Sequence, residues 1–242
     1  MILKGGYLYH DTPVGVLCLD SQFPKPPGHL RNPTSFDFPV VCSVIKGVDV
    51  KKMLFDPSPE LMAPFIEAAI QLEKDGVKAI AGSCGFMALF QKEIASAVKV
   101  PVLLSSLVQV PLVKTLHGPE AKIGVLTASS QALTPAHFEG VGANIDDVVI
   151  KGMEGHPEFW ETIIEGKRHD FDMEKLEKEI CTAARELAEE NGLDALVLEC
   201  TDLSHFARKI QEAVNLPVYD VDSMVEYAGY AVRRRTYKGL DR

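Results

Sequence analysis

The sequence predicts an α/β protein made of two pseudo-symmetric Rossmann-like domains, each with a parallel sheet, and an inter-domain cleft. Three observations predict it. Slid against itself by 116 positions, the chain matches residues 76–84 to 192–200 without a gap, and the match continues through Phe90/Phe206, Ile94/Ile210, Val98/Val214 and Pro101/Pro217. Self-similarity at a fixed offset marks a duplicated structural unit. Short apolar runs without polar alternation, as in strands buried on both faces, alternate with helical patterns, and that order builds parallel sheets. Finally, no linker-like or low-complexity stretch separates the copies, so the halves should pack on each other.

Val14–Leu19 is the first strand, and Val14 to Gln22 parallels Ile123 to Gln131 in the second copy. Residues 20–39 follow, with Pro24, Pro26, Pro27, Pro33 and Pro39, too broken for a helix and too long for a tight connection, so they are a candidate wall or lid. Ser58-Pro59 caps a helix with Leu61, Phe65, Ala68 and Leu72 on one face, which Gly76 stops. Strands at Ala79–Gly82 and 102–104 complete the first copy. In the second copy, strand 123–126 precedes a helix that Asp172 caps, with Leu176, Ile180, Ala184 and Leu187 inward and Gly192 at its end. Strands Ala195–Leu198 and 217–219 follow.

Two helices should cross between the halves. Val108, Leu112 and Leu116 lead straight into strand 123–126, so their helix is expected on the second domain. Pseudo-symmetry then sends the final helix, with Met224, Val225, Ala228 and Val232, back to the first. The expected domains are residues 1–106 plus 221–242, and residues 107–220.

Composition narrows the function. With 46% hydrophobic and 24% charged residues, the chain is neither disordered nor a disulfide scaffold. A formal charge of −9 repels a phosphate backbone and an anionic membrane, so neither nucleic acid nor membrane is an expected partner. The opening Met1-Ile2-Leu3-Lys4-Gly5-Gly6 lacks a secretory pattern, and the expected location is the cytoplasm. Five cysteines without a CxxC pair are thiols in a reducing compartment. No metal-ligand spacing appears among the histidines, so no metal site is expected.

Cys84 and Cys200 each stand where a buried strand gives way to a helix, the end at which parallel sheets bind ligands. A lone cysteine there is ordinary core filler. Two at equivalent positions of a duplicated unit instead face one another across a cleft, and can remove a proton from one face of a carbon and return it to the other.

Ser83-Cys84-Gly85-Phe86, Glu199-Cys200-Thr201-Asp202 and Asp20-Ser21 make the chain resemble the aspartate/glutamate/hydantoin racemase superfamily over nearly its whole length. The resemblance implies an isomerase without pyridoxal phosphate or other cofactor. It would act on an amino acid or related chiral carboxylate by two-base transfer between Cys84, facing the D form, and Cys200, facing the L form. It also implies substrate contacts from Asp20, Ser21, Ser83, Gly85, Phe86, Ser105, Ser106, Thr127, Ser129, Ser130, Thr201 and Asp202. A small carboxylate is then the partner, the inter-domain cleft the active site, and a homo-oligomer, a dimer, the expected assembly.

Departures from the glutamate racemase pattern leave alternatives open. Gly85-Phe86 follows the first cysteine where Asn-Thr is usual, Glu199 replaces a glycine, and Asp202 replaces a histidine. A maleate-isomerase-like or decarboxylase-like enzyme using one cysteine, or an inactive carboxylate-binding protein, remains in play. Glu199 and Asp202 either hold a neighbouring proton or cap the following helix. His205 is expected on a solvent-facing helix side, Cys18, Cys42 and Cys181 as packing residues, and Arg233-Arg234-Arg235 as a solvated helix end.

Overall fold

The computed structural model describes Ile2 and residues 5–236. The first strand, β1 (Val14–Leu19), buries all six side chains. It is followed by β2 (Val40–Ile45), α1 (Val50–Phe55), α2 (Met62–Asp75), β3 (Ala79–Gly82), α3 (Gln91–Ala97) and β4 (Val102–Leu103), giving a parallel sheet of order β2-β1-β3-β4. After α4 (Val110–His117), the second half repeats the plan. Its elements are β5 (Ile123–Thr127), α5 (Pro135–Gly140), β6 (Val148–Gly152), α6 (Pro157–Phe159), α7 (Met173–Asn191), β7 (Ala195–Leu198), α8 (Ala207–Val214) and β8 (Val218–Tyr219). Its parallel sheet has the matching order β6-β5-β7-β8, and α9 (Val221–Val232) follows.

Among the described residues each half therefore has four strands, not the three expected. The unforeseen β2 and β6 lie at sheet edges, where one flank is open and burial is partial. Their sequences accordingly lack the uninterrupted buried run that identifies β1. On this edge Cys42 is exposed rather than a packing residue. A hydrogen bond with the buried Cys18 thiol lowers the Cys42 pKa to about 7.

Helix α2 starts later than Ser58-Pro59 suggests, because Pro59–Leu61 forms a 3-10 turn first. It buries Phe65, Ala69 and Leu72, and ends at Gly76, whose φ of 109° favours a residue without a side chain. Asp172 caps α7 by accepting from the backbone N–H groups of Glu174 and Lys175, and Gly192 closes that helix at φ 61°.

Both faces of β1 are covered, which explains its continuous apolar run. Val14, Val16 and Cys18 join Val221, Met224, Val225 and Ala228 of α9 in one apolar cluster. On the other face, a Cβ at Gly15 would already stand 3.0–3.2 Å from Leu72 and Val77. Meanwhile α4 packs on β5 and β7. Each sheet thus takes a helix from beyond its own run of strands, and Gln109 Nε2 ties the two crossings by donating to the Asp220 carbonyl at 2.8 Å. No helix among the described residues is long and apolar enough to cross a membrane.

Candidate active site

The carboxyl ends of β3 and β7 deliver Cys84 and Cys200. Each is the extended residue that opens a 3-10 turn, Gly85–Phe90 in one half and Thr201–Phe206 in the other. Both thiols are buried. The Thr201 hydroxyl donates to the Ser83 carbonyl at 2.6 Å, joining the two strand ends directly. Gly85 permits a close approach, since a Cβ there would fall 2.2 Å from both the carbonyl oxygen and Oε1 of Glu199.

Two buried carboxyls accompany the thiols, in unlike environments. Glu199 Oε2 accepts from the Thr127 hydroxyl at 2.6 Å, whereas Oε1 has no partner. Burial, opposed by the Thr127 bond, raises its pKa to about 7. Asp202 Oδ1 pairs with His29 Nε2 at 2.9 Å, and Cys200 Sγ donates to Oδ2 at 3.8 Å. His29 Nδ1 accepts from the Arg31 backbone N–H at 3.0 Å, which assigns the proton to Nε2 and makes His29 the donor to Asp202. For Asp202, burial raises the pKa, but the His29 hydrogen bond and then the charge of Lys25 outweigh it, and the carboxyl lies below its ordinary range. Burial, then the charge of Glu199, pushes the Cys84 thiol up. Burial, then Asp202 and Glu199, does the same to Cys200.

The 20–39 segment closes over this arrangement. Its Phe23, Lys25, His29 and Arg31 join Ser21, Ser83, Cys84 and Asp202 around a cavity of about 10 Å³, room for no more than a water. The Lys25 ammonium lies 3.3 Å from the Phe23 ring centroid, and burial lowers its pKa to about 8. Arg31 Nη1 donates to the Leu19 carbonyl and to Ser21 Oγ, at 3.2 and 2.9 Å. The segment is fastened to the second half by His29 on Asp202 and by the Ser204 hydroxyl, which donates to the Gly28 carbonyl at 2.9 Å. Beyond Ser21, Phe23 and Val50 lies a vestibule of about 210 Å³, whose far wall includes Thr162, Ile163 and Arg168.

Of the residues expected to contact substrate, Ser21, Ser83 and Asp202 border the cavity with Cys84. Gly85 and Thr201 join the halves beside it, and Thr127 holds Glu199 within the second half. Others are engaged elsewhere. The Asp20 carboxylate accepts from the Gly47 N–H and pairs with Lys46. Phe86 is buried with its ring edge-on to His137, centroids 4.9 Å apart. Ser105 accepts from the Leu107 N–H, while Ser106 Oγ is buried without a partner. The Ser129 and Ser130 hydroxyls both donate to Glu154 Oε1, at 2.9 and 3.2 Å, so they already hold a carboxylate of the protein itself.

His205 is not solvent-facing. Neither ring nitrogen has solvent or a partner, and Phe171, Phe206 and His29 surround the ring. Neither Glu199 nor Asp202 is the residue that opens the following turn; Cys200 is. Phe23, Lys25, His29 and Arg31 were missed as site residues; the length and proline content of their segment were the available signal.

The Asp/Glu/hydantoin racemase family model matches residues 112–227. A dimethylsulfoniopropionate lyase of Durusdinium sp. clade D is 32% identical over 219 residues, covering 86% of this chain and 70% of that protein. Dimethylsulfoniopropionate lyase 3 of Emiliania huxleyi is 31% identical over 218 residues, and the match covers 86% of this chain but 56% of the relative. The chain belongs to the Asp/Glu/hydantoin racemase family. Among solved structures, unliganded arylmalonate decarboxylase aligns with a TM-score of 0.52 at 14% identity, over 94% of this chain and 95% of that one. A glutamate racemase from Bacillus anthracis gives 0.53 at 16%, over 90% and 81%. At these identities the likeness is one of fold.

Proposed function

We propose that the protein is a lyase of a small sulfonium acid, a class supported by relatives named dimethylsulfoniopropionate lyases, and that it acts by removing the proton next to the carboxylate. The observation that carries the reading is the buried Cys84 thiol bordering one cavity with Lys25 and Arg31. In this reading Cys84, as thiolate, takes the α-proton. The released electron pair forms the carbon–carbon double bond, the β-carbon–sulfur bond breaks, and dimethyl sulfide leaves as a neutral molecule with acrylate remaining. Lys25 and Arg31 hold the carboxylate and stabilise the charge that develops on it in a site closed to water. The Phe23 ring, already faced by one cation, and the Asp202 carboxylate provide the surroundings for a sulfonium group.

The test is incubation with dimethylsulfoniopropionate, following dimethyl sulfide in the headspace and acrylate by proton NMR. Release by the native chain and its loss in Cys84→Ala support the reading; no release under any condition refutes it. Racemisation of a chiral carboxylate is the second reading, favoured by the presence of two thiols where an achiral substrate needs one base. Under that reading, heavy water deuterates the α-carbon of both enantiomers without elimination, and Cys84→Ala and Cys200→Ala each stop interconversion.

A further inference from the structure

Glu199 is the least explained group in the site. Its side chain is fully buried, one oxygen is held by Thr127, and the other is unpartnered. That free oxygen occupies the space a side chain at position 85 would need, beside the backbone immediately after Cys84. Buried carboxyl oxygens normally find a donor, and this one is left open beside the residue that follows Cys84.

The two thiols also have different carboxyl neighbours. Cys200 donates to Asp202, which His29 holds as an anion, so the Cys200 proton has an acceptor but no reason to leave. The charge of Glu199 opposes ionisation of Cys84, and that of Asp202 does so as well. The groups facing Glu199 are thus Cys84 from the first half, Thr127 from β5, and Cys200 and Asp202 from its own strand end, with His29 beyond Asp202.

We propose that Glu199 is the internal proton acceptor that generates the Cys84 thiolate, acting as a positioning residue for that thiol, while Asp202 and His29 keep Cys200 protonated. The step is a proton transfer: the Cys84 S–H bond breaks, an O–H bond forms on Glu199 Oε1, and one negative charge moves from carboxylate to sulfur. The buried site holds the same net charge before and after, so the transfer avoids placing a second anion in a desolvated space. Glu199, with a pKa raised to about 7, accepts and returns a proton near neutral pH in a way that Asp202 does not. This inference rests on the reading of Cys84 as a base, but its test does not require turnover.

The test measures Cys84 alkylation by iodoacetamide in the full-length chain as a function of pH, by mass spectrometry, with Cys200 as internal reference. Alkylation of Cys84 in the native chain should rise through an inflection near pH 7. Glu199→Gln retains shape and an acceptor for Thr127 but cannot take the proton, and should slow Cys84 alkylation at neutral pH by at least about tenfold. Thr127→Val removes a bond that favours the Glu199 anion, and should move the inflection upward. A carboxylate that acted only by repulsion predicts the reverse, because removing its charge would favour the thiolate. Equal or faster alkylation of Cys84 in Glu199→Gln overturns the proposal, as does a native Cys84 that is unreactive at every pH. If these results hold and dimethylsulfoniopropionate is untouched, the lyase reading fails and this one stands.

Discussion

Replacing His29 by alanine isolates the contact that closes the 20–39 segment. The variant loses the 2.9 Å bond to Asp202, the acceptor for the Arg31 N–H, and the ring packed near His205. Asp202, whose side chain is 11% exposed, is left with the Cys200 thiol as its named side-chain hydrogen-bond donor. Leaving a buried group without its hydrogen-bond partner typically costs about 1–3 kcal/mol, and more for a charged one. Here the segment can lift and admit water, so about 2–3 kcal/mol is expected, a sizeable part of the roughly 5–15 kcal/mol of a typical domain. The pH dependence carries the sign. In the native chain the Asp202 pKa is depressed, so its contribution is present above the ordinary Asp range and lost only as pH falls through the lowered folded value. Without His29, burial raises the same group, and the variant recovers stability relative to the native chain as pH falls from about 7 toward about 4. Urea unfolding across that range measures the gap, and Asp202→Asn is the control, since His29→Ala should cost much less on that background. A gap under about 0.5 kcal/mol, or one that does not narrow with acid, would refute the reasoning.

Gly85→Ala should destabilise by at least about 1–3 kcal/mol in thermal unfolding, because the new methyl meets the Glu199 backbone carbonyl at 2.2 Å and backbone yields less readily than a side-chain end. Burial lowers the His205 pKa to about 4, below its ordinary value of about 6.5, so its contribution is lost as pH falls through that window. His205→Phe should flatten that part of the stability curve and gain up to about 3 kcal/mol at its acid end, with His137, held down to about 4 in the same way, leaving some slope. Ending the chain at Asp220 removes the α9 cover from Val14, Val16, Cys18, Ala79 and Ala81, so hydrogen exchange should rise first in β1 and β3 rather than in the sheet nearer in sequence. Protection lost first in β5 and β7 would contradict the domain division proposed from the sequence.

The central strands were legible because burial on both faces writes itself into sequence. β1, β3, β5 and β7 are unbroken apolar runs, and the duplicated Cys84 and Cys200 follow two of them. β2 and β6 were not, because a half-exposed edge with Ser43 or Lys151 in it has no periodicity of its own. The thiols could be found from the internal repeat, and the serines could not be sorted by it. Whether Ser129 meets a ligand or Glu154 depends on how the turn after β5 meets the loop after β6, a contact between segments remote in sequence. His29 was invisible for the same reason, since its partner lies 173 residues away.

Closure and access oppose each other in this site. The space beside Cys84 holds no substrate as it stands, at about 10 Å³, yet a vestibule of about 210 Å³ lies across Ser21, Phe23 and Val50. A small carboxylate therefore reaches the thiol only if the 20–39 segment shifts, which requires His29 to part from Asp202 and Gly28 from Ser204. Separation would leave Asp202 without its histidine and raise the affinity of that carboxyl for a proton, while reclosure would restore the anion that holds the Cys200 hydrogen. The same histidine that latches the segment thus sets the protonation state beside one thiol, and the open and closed forms should differ in chemistry as well as in access. An enzyme so arranged would turn over no faster than its latch releases. Weakening the latch by His29→Gln should then raise KM and kcat together if opening limits the rate, and lower kcat alone if the closed geometry does.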